Sequence, residues 1–169
     1  MFAGNDVCAG ITTRLEVSTP NEYTYQYLDD MGLVLASSGQ MQFWVKTTND
    51  AHISLTNERD ADDTIEIVIG GWGNTKSVIR SFHQQSPAET EVEEAGLDGN
   101  DFKPYWITWS NGDISVGTGS VIGQDQFMTA NIQQDIKYVG IATGWGASGE
   151  WVFGYGRWPS EMSNLSYIQ

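Results

Sequence analysis

IEIVIGGWGNTKSVIR, residues 65–80, decides the fold. Ile65, Ile67 and Ile69 alternate with Glu66 and Val68, the period of a strand with one apolar face. The chain then meets Gly70-Gly71-Trp72-Gly73-Asn74, and Lys76-Ser77 follow at the spacing of a phosphate-binding loop. Such a loop reads Gly-x-x-x-x-Gly-Lys-Ser/Thr and opens a helix whose N-terminus faces the phosphates. Here Thr75 stands where the second glycine belongs, and Val78, Ile79 and Phe82 favour another strand. A methyl-donor turn on a doubly wound sheet asks for an acidic residue ahead of its first glycine and a helix behind it. Val68 stands where that acid would serve, and no helical pattern follows. The stretch therefore reads as two strands reversing through a glycine bend that carries Trp72.

The same period runs outward in both directions. Met41, Phe43 and Val45 alternate with Gln42, Trp44 and Lys46, and Ala51, Ile53 and Leu55 with His52, Ser54 and Thr56. Tyr105, Ile107 and Trp109 lead into Asn111-Gly112, a strong hairpin signal, and Ile114 and Val116 follow it. Residues 14–17, 23–27 and 138–142 read as further strands. The best helical candidate, residues 88–97, crowds Glu89, Glu91, Glu93 and Glu94 with too few apolar positions for a face, so it reads as an acidic surface loop. Trp106, Trp109 and Trp151 lie within strands and are expected in the core. Strands without intervening helices predict an all-β, single-domain antiparallel β-sandwich, jelly-roll-like, over residues 1–169. A length of 169 residues suits one such domain, and 19 glycines with seven tryptophans and seven tyrosines suit strands joined by glycine turns.

Twenty-two acidic side chains face eight basic ones, a net charge of −14. Such a surface repels phosphate backbones and anionic lipid heads, so no nucleic-acid partner is expected. No apolar run approaches the roughly 20 residues that span a bilayer, so no membrane insertion is expected either. Cys8 is alone, which rules out an internal disulfide and leaves a free thiol or an intermolecular bridge, and with it a homo-oligomer, open. Asp60-Ala61-Asp62-Asp63 lacks the twelve-residue calcium-loop spacing and reads as an exposed acidic loop. No metal and no cofactor are expected. The N-terminal MFAGNDVCAG lacks the basic and apolar blocks of a signal peptide, whereas Asn164-Leu165-Ser166 is a glycosylation sequon that tilts the balance toward an extracellular setting.

NDAHISLT at 49–56, IEIVIGGWGNTKSVIR at 65–80, FKPYWITW at 102–109, GDISVG at 112–117 and GIATGWGASGEW at 140–151 resemble the farnesoic acid O-methyltransferase domain family. The resemblance covers residues 22–153, leaving an N-terminal strand segment and a C-terminal tail outside it. It implies a small jelly-roll-like module of the kind found in invertebrate and bacterial proteins of mixed architecture, in company that suggests extracellular recognition. The family name implies an S-adenosylmethionine-dependent methyl transfer to farnesoic acid, for which the residues themselves provide no recognisable methyl-donor pocket.

A sugar site needs a flat aromatic face for the C–H side of a pyranose and amides, carboxylates or imidazole for its hydroxyls. Trp72 and Asn74 share one glycine-rich turn. Trp145 sits in a second, Gly144-Trp145-Gly146-Ala147-Ser148-Gly149-Glu150, with a carboxylate at its end. Each indole has a competing place in the core, because glycine flanks also let a large ring tuck back over a sheet. His52 faces away from Ile53 and Leu55, with Asp50 ahead of it, and either hydroxyl recognition or a bond to a neighbouring strand would satisfy it. Asp50 and Asn74 also suit turns, and Glu66 with Arg80 suits a pair across the hairpin. The candidate carbohydrate-binding set is Asp50, His52, Trp72, Asn74, Trp145 and Glu150, with no catalytic residue assigned. The leading expectation is a lectin-like module binding a glycan or glycoprotein without catalysis. The alternatives are the methyltransferase of the family name and a protein-interaction module presenting Trp44 and the acidic face.

Overall fold

The computed structural model describes residues 14–154. Cys8, the MFAGNDVCAG stretch and the sequon at 164–166 lie outside them. Twelve strands follow one another: β1 (Arg14–Thr19), β2 (Glu22–Tyr27), β3 (Gln40–Lys46), β4 (Ala51–Thr56), β5 (Ile65–Gly70), β6 (Lys76–Arg80), β7 (Thr90–Val92), β8 (Lys103–Ser110), β9 (Asp113–Thr118), β10 (Gln126–Asn131), β11 (Tyr138–Thr143) and β12 (Gly149–Gly154). They form two six-stranded sheets, β1-β12-β3-β8-β9-β10 and β2-β11-β4-β5-β6-β7. Every pairing of neighbouring strands is antiparallel. This is the expected all-β sandwich of jelly-roll type. Among the described residues no helix is long and apolar enough to cross a membrane.

The isoleucine alternation builds the core as expected. Ile65, Ile67, Ile69, Ile53, Leu55 and Ile79 are wholly buried between the sheets, facing Phe43, Val45, Tyr105, Ile107 and Trp151 from the other layer. The second sheet departs from simple alternation on its other face. All six positions of β4 and of β5 are buried, so His52, Ser54, Thr56 and Glu66 are sealed as fully as the isoleucines behind them. A strand buried on both faces is ordinarily apolar throughout. Here the second face carries polar groups, and these must find hydrogen-bond partners beneath the loops that cover them.

Three local expectations change. Trp44, placed on the polar face by alternation, is only 8 % exposed, so it does not form the open contact surface of the protein-interaction reading. Residues 88–97 are not loop throughout: β7 adds to the sheet edge, with Ser77, Val78 and Ile79 opposite Val92, Glu91 and Thr90. Backbone pairing there outweighs the charge of the flanking glutamates. Trp106 is buried as expected, but on the outer face of its sheet, where its indole lies over Gly117 and donates to the carbonyl of Gln124 at 2.8 Å.

Candidate functional site

The bend after β5 returns the chain directly into β6, pairing Glu66 with Arg80, Ile67 with Ile79 and Val68 with Val78. Its backbone is a left-handed coil: Gly70, Trp72, Gly73 and Asn74 have φ of 63°, 51°, 69° and 64°. Gly70 is required twice over, by its positive φ and because a Cβ there would lie 2.5 Å from Leu97 Cδ1. Asn74 closes the bend sideways. Its amide donates to the Leu97 carbonyl at 2.9 Å and accepts from the Leu97 N–H at 3.2 Å, so this side chain holds the 96–97 loop instead of facing the cavity described next.

On the outer face of the second sheet a cavity of about 300 Å³ is lined by Asn49, Asp50, His52, Val68, Trp72, Gly73, Arg80, Gln84 and Trp145. Four of the six sequence candidates, Asp50, His52, Trp72 and Trp145, meet here. The two indoles come from different turns and stay outside the core, 51 % and 55 % exposed. The sixth candidate, Glu150, lies on the other sheet opposite Lys46, with which it pairs at 2.7 Å.

Glu66 lies beneath the cavity at zero exposure and is the hub of its polar network. One carboxylate oxygen accepts from Arg80 Nη1 at 2.7 Å and from the Gln84 N–H at 3.3 Å. The other accepts from the Tyr25 hydroxyl at 2.9 Å and from the Tyr23 hydroxyl. His52 stands between two carboxylates, Nε2 3.4 Å from Asp50 Oδ1 and Nδ1 3.8 Å from Glu66 Oε2. Burial of Glu66 favours its neutral form, but His52, Tyr23 and Arg80 outweigh that and hold it far below the usual carboxylate range. Burial likewise opposes a charge on His52, yet Asp50 and Glu66 leave its pKa above the ordinary imidazole value. Burial and the Glu66 charge push both tyrosine hydroxyls upward, fixing them as donors.

Stacked rings form the walls. Trp145 lies parallel to the His52 imidazole, with centroids 5.0 Å apart and planes at 10°, and tilts against Tyr23 at 5.0 Å. Trp72 reaches back over the Arg80 guanidinium at 5.4 Å. His83 stacks on Tyr25 at 5.3 Å. Three buried nitrogens in this cluster, His52 Nδ1, Arg80 Nε and His83 Nε2, have no hydrogen-bond partner among the described residues.

Backbone strain gathers at the same place. Trp72, Gln84 and Trp145 have φ of 51°, 57° and 49°, and all three line the cavity. Among the described residues the other positive-φ positions that are not glycine are Asn or Asp, whose short side chains tolerate the left-handed region. Bulky residues there cost roughly 1–3 kcal/mol each and persist where the surroundings over-determine them, commonly at ligand sites.

Tyr23, Tyr25, His83 and Gln84 are not among the sequence candidates, and alternation predicts Glu66–Arg80 only as a pair across the hairpin. The pair exists, but as the buried floor of a cavity. One signal was present: EYTYQY at 22–27 puts tyrosines at every second position, one aromatic row on a single face.

The chain resembles known proteins at three levels. "Uncharacterized protein 5" of the abalone Haliotis asinina is 30% identical over 113 residues, covering 66% of this chain and 65% of that protein, so the chain spans just under two thirds of its relative's length. The galectin LEC-6 of Caenorhabditis elegans superposes with a TM-score of 0.50 at 14% identity, over 83% of this chain and 96% of that one, a likeness of fold alone. A Bacillus licheniformis beta-glucanase superposes with a TM-score of 0.48 at 18% identity, over 86% and 79% of the two chains. Residues 21–155 match the family described as farnesoic acid O-methyl transferase, so that most of this chain, cavity included, belongs to that family.

Proposed function

We propose that this chain is a carbohydrate-recognition module and that a glycan binds in the cavity between Trp72 and Trp145. The observation that carries the reading is the pair of exposed indoles, held on strained left-handed backbone around a cavity with a polar floor. Indole faces suit the C–H side of a pyranose, while Asn49, Asp50, Gln84 and Arg80 offer acceptors and donors for hydroxyls. A cavity of about 300 Å³ stands at the small end of ligand sites, the size for one or two sugar rings. The network beneath is held by its own members, so donors and acceptors meet the sugar already oriented. Galectin, a sugar-binding protein by name, shares the sandwich and so supports the reading at the level of fold.

The family description favours a second reading, methyl transfer to farnesoic acid. A sesquiterpenoid chain asks for an apolar tunnel, whereas this cavity sets polar side chains beside its indoles, and its volume argues against holding S-adenosylmethionine together with that acid. The residues around the cavity do not fit that pair of ligands.

A glycan array read alongside tryptophan fluorescence tests the proposal. Binding to a defined glycan set, abolished by Trp72→Ala or Trp145→Ala, is the expected result. A flat response across neutral and acidic glycans, or methylated farnesoate detected by mass spectrometry after incubation with the methyl donor, would overturn it.

A further inference from the structure

A second cavity, about 360 Å³, lies on the far side of the loop that carries Trp145. The same two stretches of chain separate the cavities. Asn49, Asp50 and Trp145 face the first, and their chain neighbours Thr47, Thr48, Gly146, Ala147 and Ser148 face the second. The partition is pinned: the Asn49 amide donates to the Trp145 carbonyl at 3.3 Å, and the Gly146 N–H donates to Asn21 Oδ1 at 2.9 Å.

The second cavity is rich in hydroxyls, with Ser18, Thr48 and Ser148 all exposed in it. At its edge Lys46 Nζ and Glu150 Oε2 lie 2.7 Å apart, and Lys46 is steadied over the Phe102 ring at 5.0 Å. An ammonium beside a carboxylate matches a vicinal diol, since one sugar hydroxyl accepts from the first while its neighbour donates to the second. Gly146 adds an open backbone, because a Cβ there would meet nothing within 4 Å.

We propose that the glycan site crosses the Trp145 loop into this second cavity, and that the module reads a linear oligosaccharide of at least three sugar residues. The inference rests on the glycan reading of the first cavity. Trp145, stacked on His52 by one face and more than half exposed, then serves as a platform at the crossing. Glu150, distant from the floor of the first cavity, joins recognition through the second.

Isothermal titration calorimetry with neutral β-gluco- and β-galacto-oligosaccharides of one to six residues tests this on the full chain. Two or three added hydrogen bonds of ordinary net strength predict a gain of about tenfold or more in affinity between the disaccharide and the tetrasaccharide. Ser148→Trp or Thr48→Trp, each at an exposed position, fills the second cavity and brings the hexasaccharide down to the affinity of the disaccharide. Two variants at separate sites guard against misfolding of either, checked by circular dichroism. A monosaccharide or disaccharide that binds as tightly as the hexasaccharide, or a hexasaccharide indifferent to both tryptophans, overturns the inference and leaves the first cavity standing. Absence of binding at every length in both series overturns the inference, and the response across neutral and acidic glycans on the array then decides the first cavity by itself.

Discussion

Replacing Glu66 by Gln isolates the charge at the centre of the site. The amide is nearly isosteric, and its oxygen can take the position that accepts from Arg80 and Gln84. Its nitrogen then faces Tyr23 and Tyr25, whose hydroxyls rotate from donor to acceptor. Hydrogen bonds are therefore largely conserved, and what disappears is the negative charge opposite the guanidinium of Arg80, a residue only 6 % exposed. Breaking a buried pair by removing one partner costs about 3–5 kcal/mol, and with the hydrogen bonds retained the lower end, about 3 kcal/mol, applies. For a protein of this length that lowers Tm by roughly 6–12 °C. Urea unfolding followed by tryptophan fluorescence measures it, with an unchanged m-value showing that the native state stays compact. Replacing the partner too, in Glu66→Gln with Arg80→Met, recovers more than half of the loss, because no uncompensated charge remains. The carboxylate titrates lower when folded than when unfolded, so its stabilisation is complete above the unfolded value of about 4.3 and declines as pH falls toward the folded one. Glu66→Gln accordingly flattens the acid limb of the stability profile. A loss below about 1 kcal/mol, the scale of an exposed pair, would refute the buried-hub reasoning.

Further outcomes follow from the same network. His52 has a raised folded pKa, so its stabilisation is complete below about pH 6.5 and is lost as pH rises through the folded value; His52→Gln should remove that alkaline slope in urea unfolding between pH 5 and pH 9, a range of about four units around the unperturbed pKa. Trp145→Gly relieves a left-handed tryptophan while losing its stacking on His52, two effects of about 1 kcal/mol in opposite directions, so stability changes by less than about 1 kcal/mol while glycan binding is lost. Gly70→Ala should cost about 2 kcal/mol or more in chemical unfolding, since the added Cβ meets Leu97 on a backbone that disfavours it.

Local sequence determined the strands, the core face and the reversal at Gly70–Asn74, because these depend on neighbours two to five positions apart. Alternation places Ile65, Ile67 and Ile69 on one side whatever the rest of the chain does, and consecutive glycines next to Trp72 admit a left-handed turn that no β-branched stretch would. Glycine flanks singled out the indoles at 72 and 145 as candidates but left a place in the core open to each, and only the structure puts both outside it. Tertiary structure alone decided what the other face of β4 and β5 would become. Tyr23 and Tyr25 reach Glu66 across 43 and 41 residues of chain. The alternation pattern assigns Glu66 and His52 to a polar face and carries no information about whether loops cover it. Asn74 turned to Leu97 and Glu150 to Lys46 for a similar reason: a side chain's partner is set by which strands lie adjacent, and adjacency in a sandwich is a property of topology, which sequence spacing does not encode.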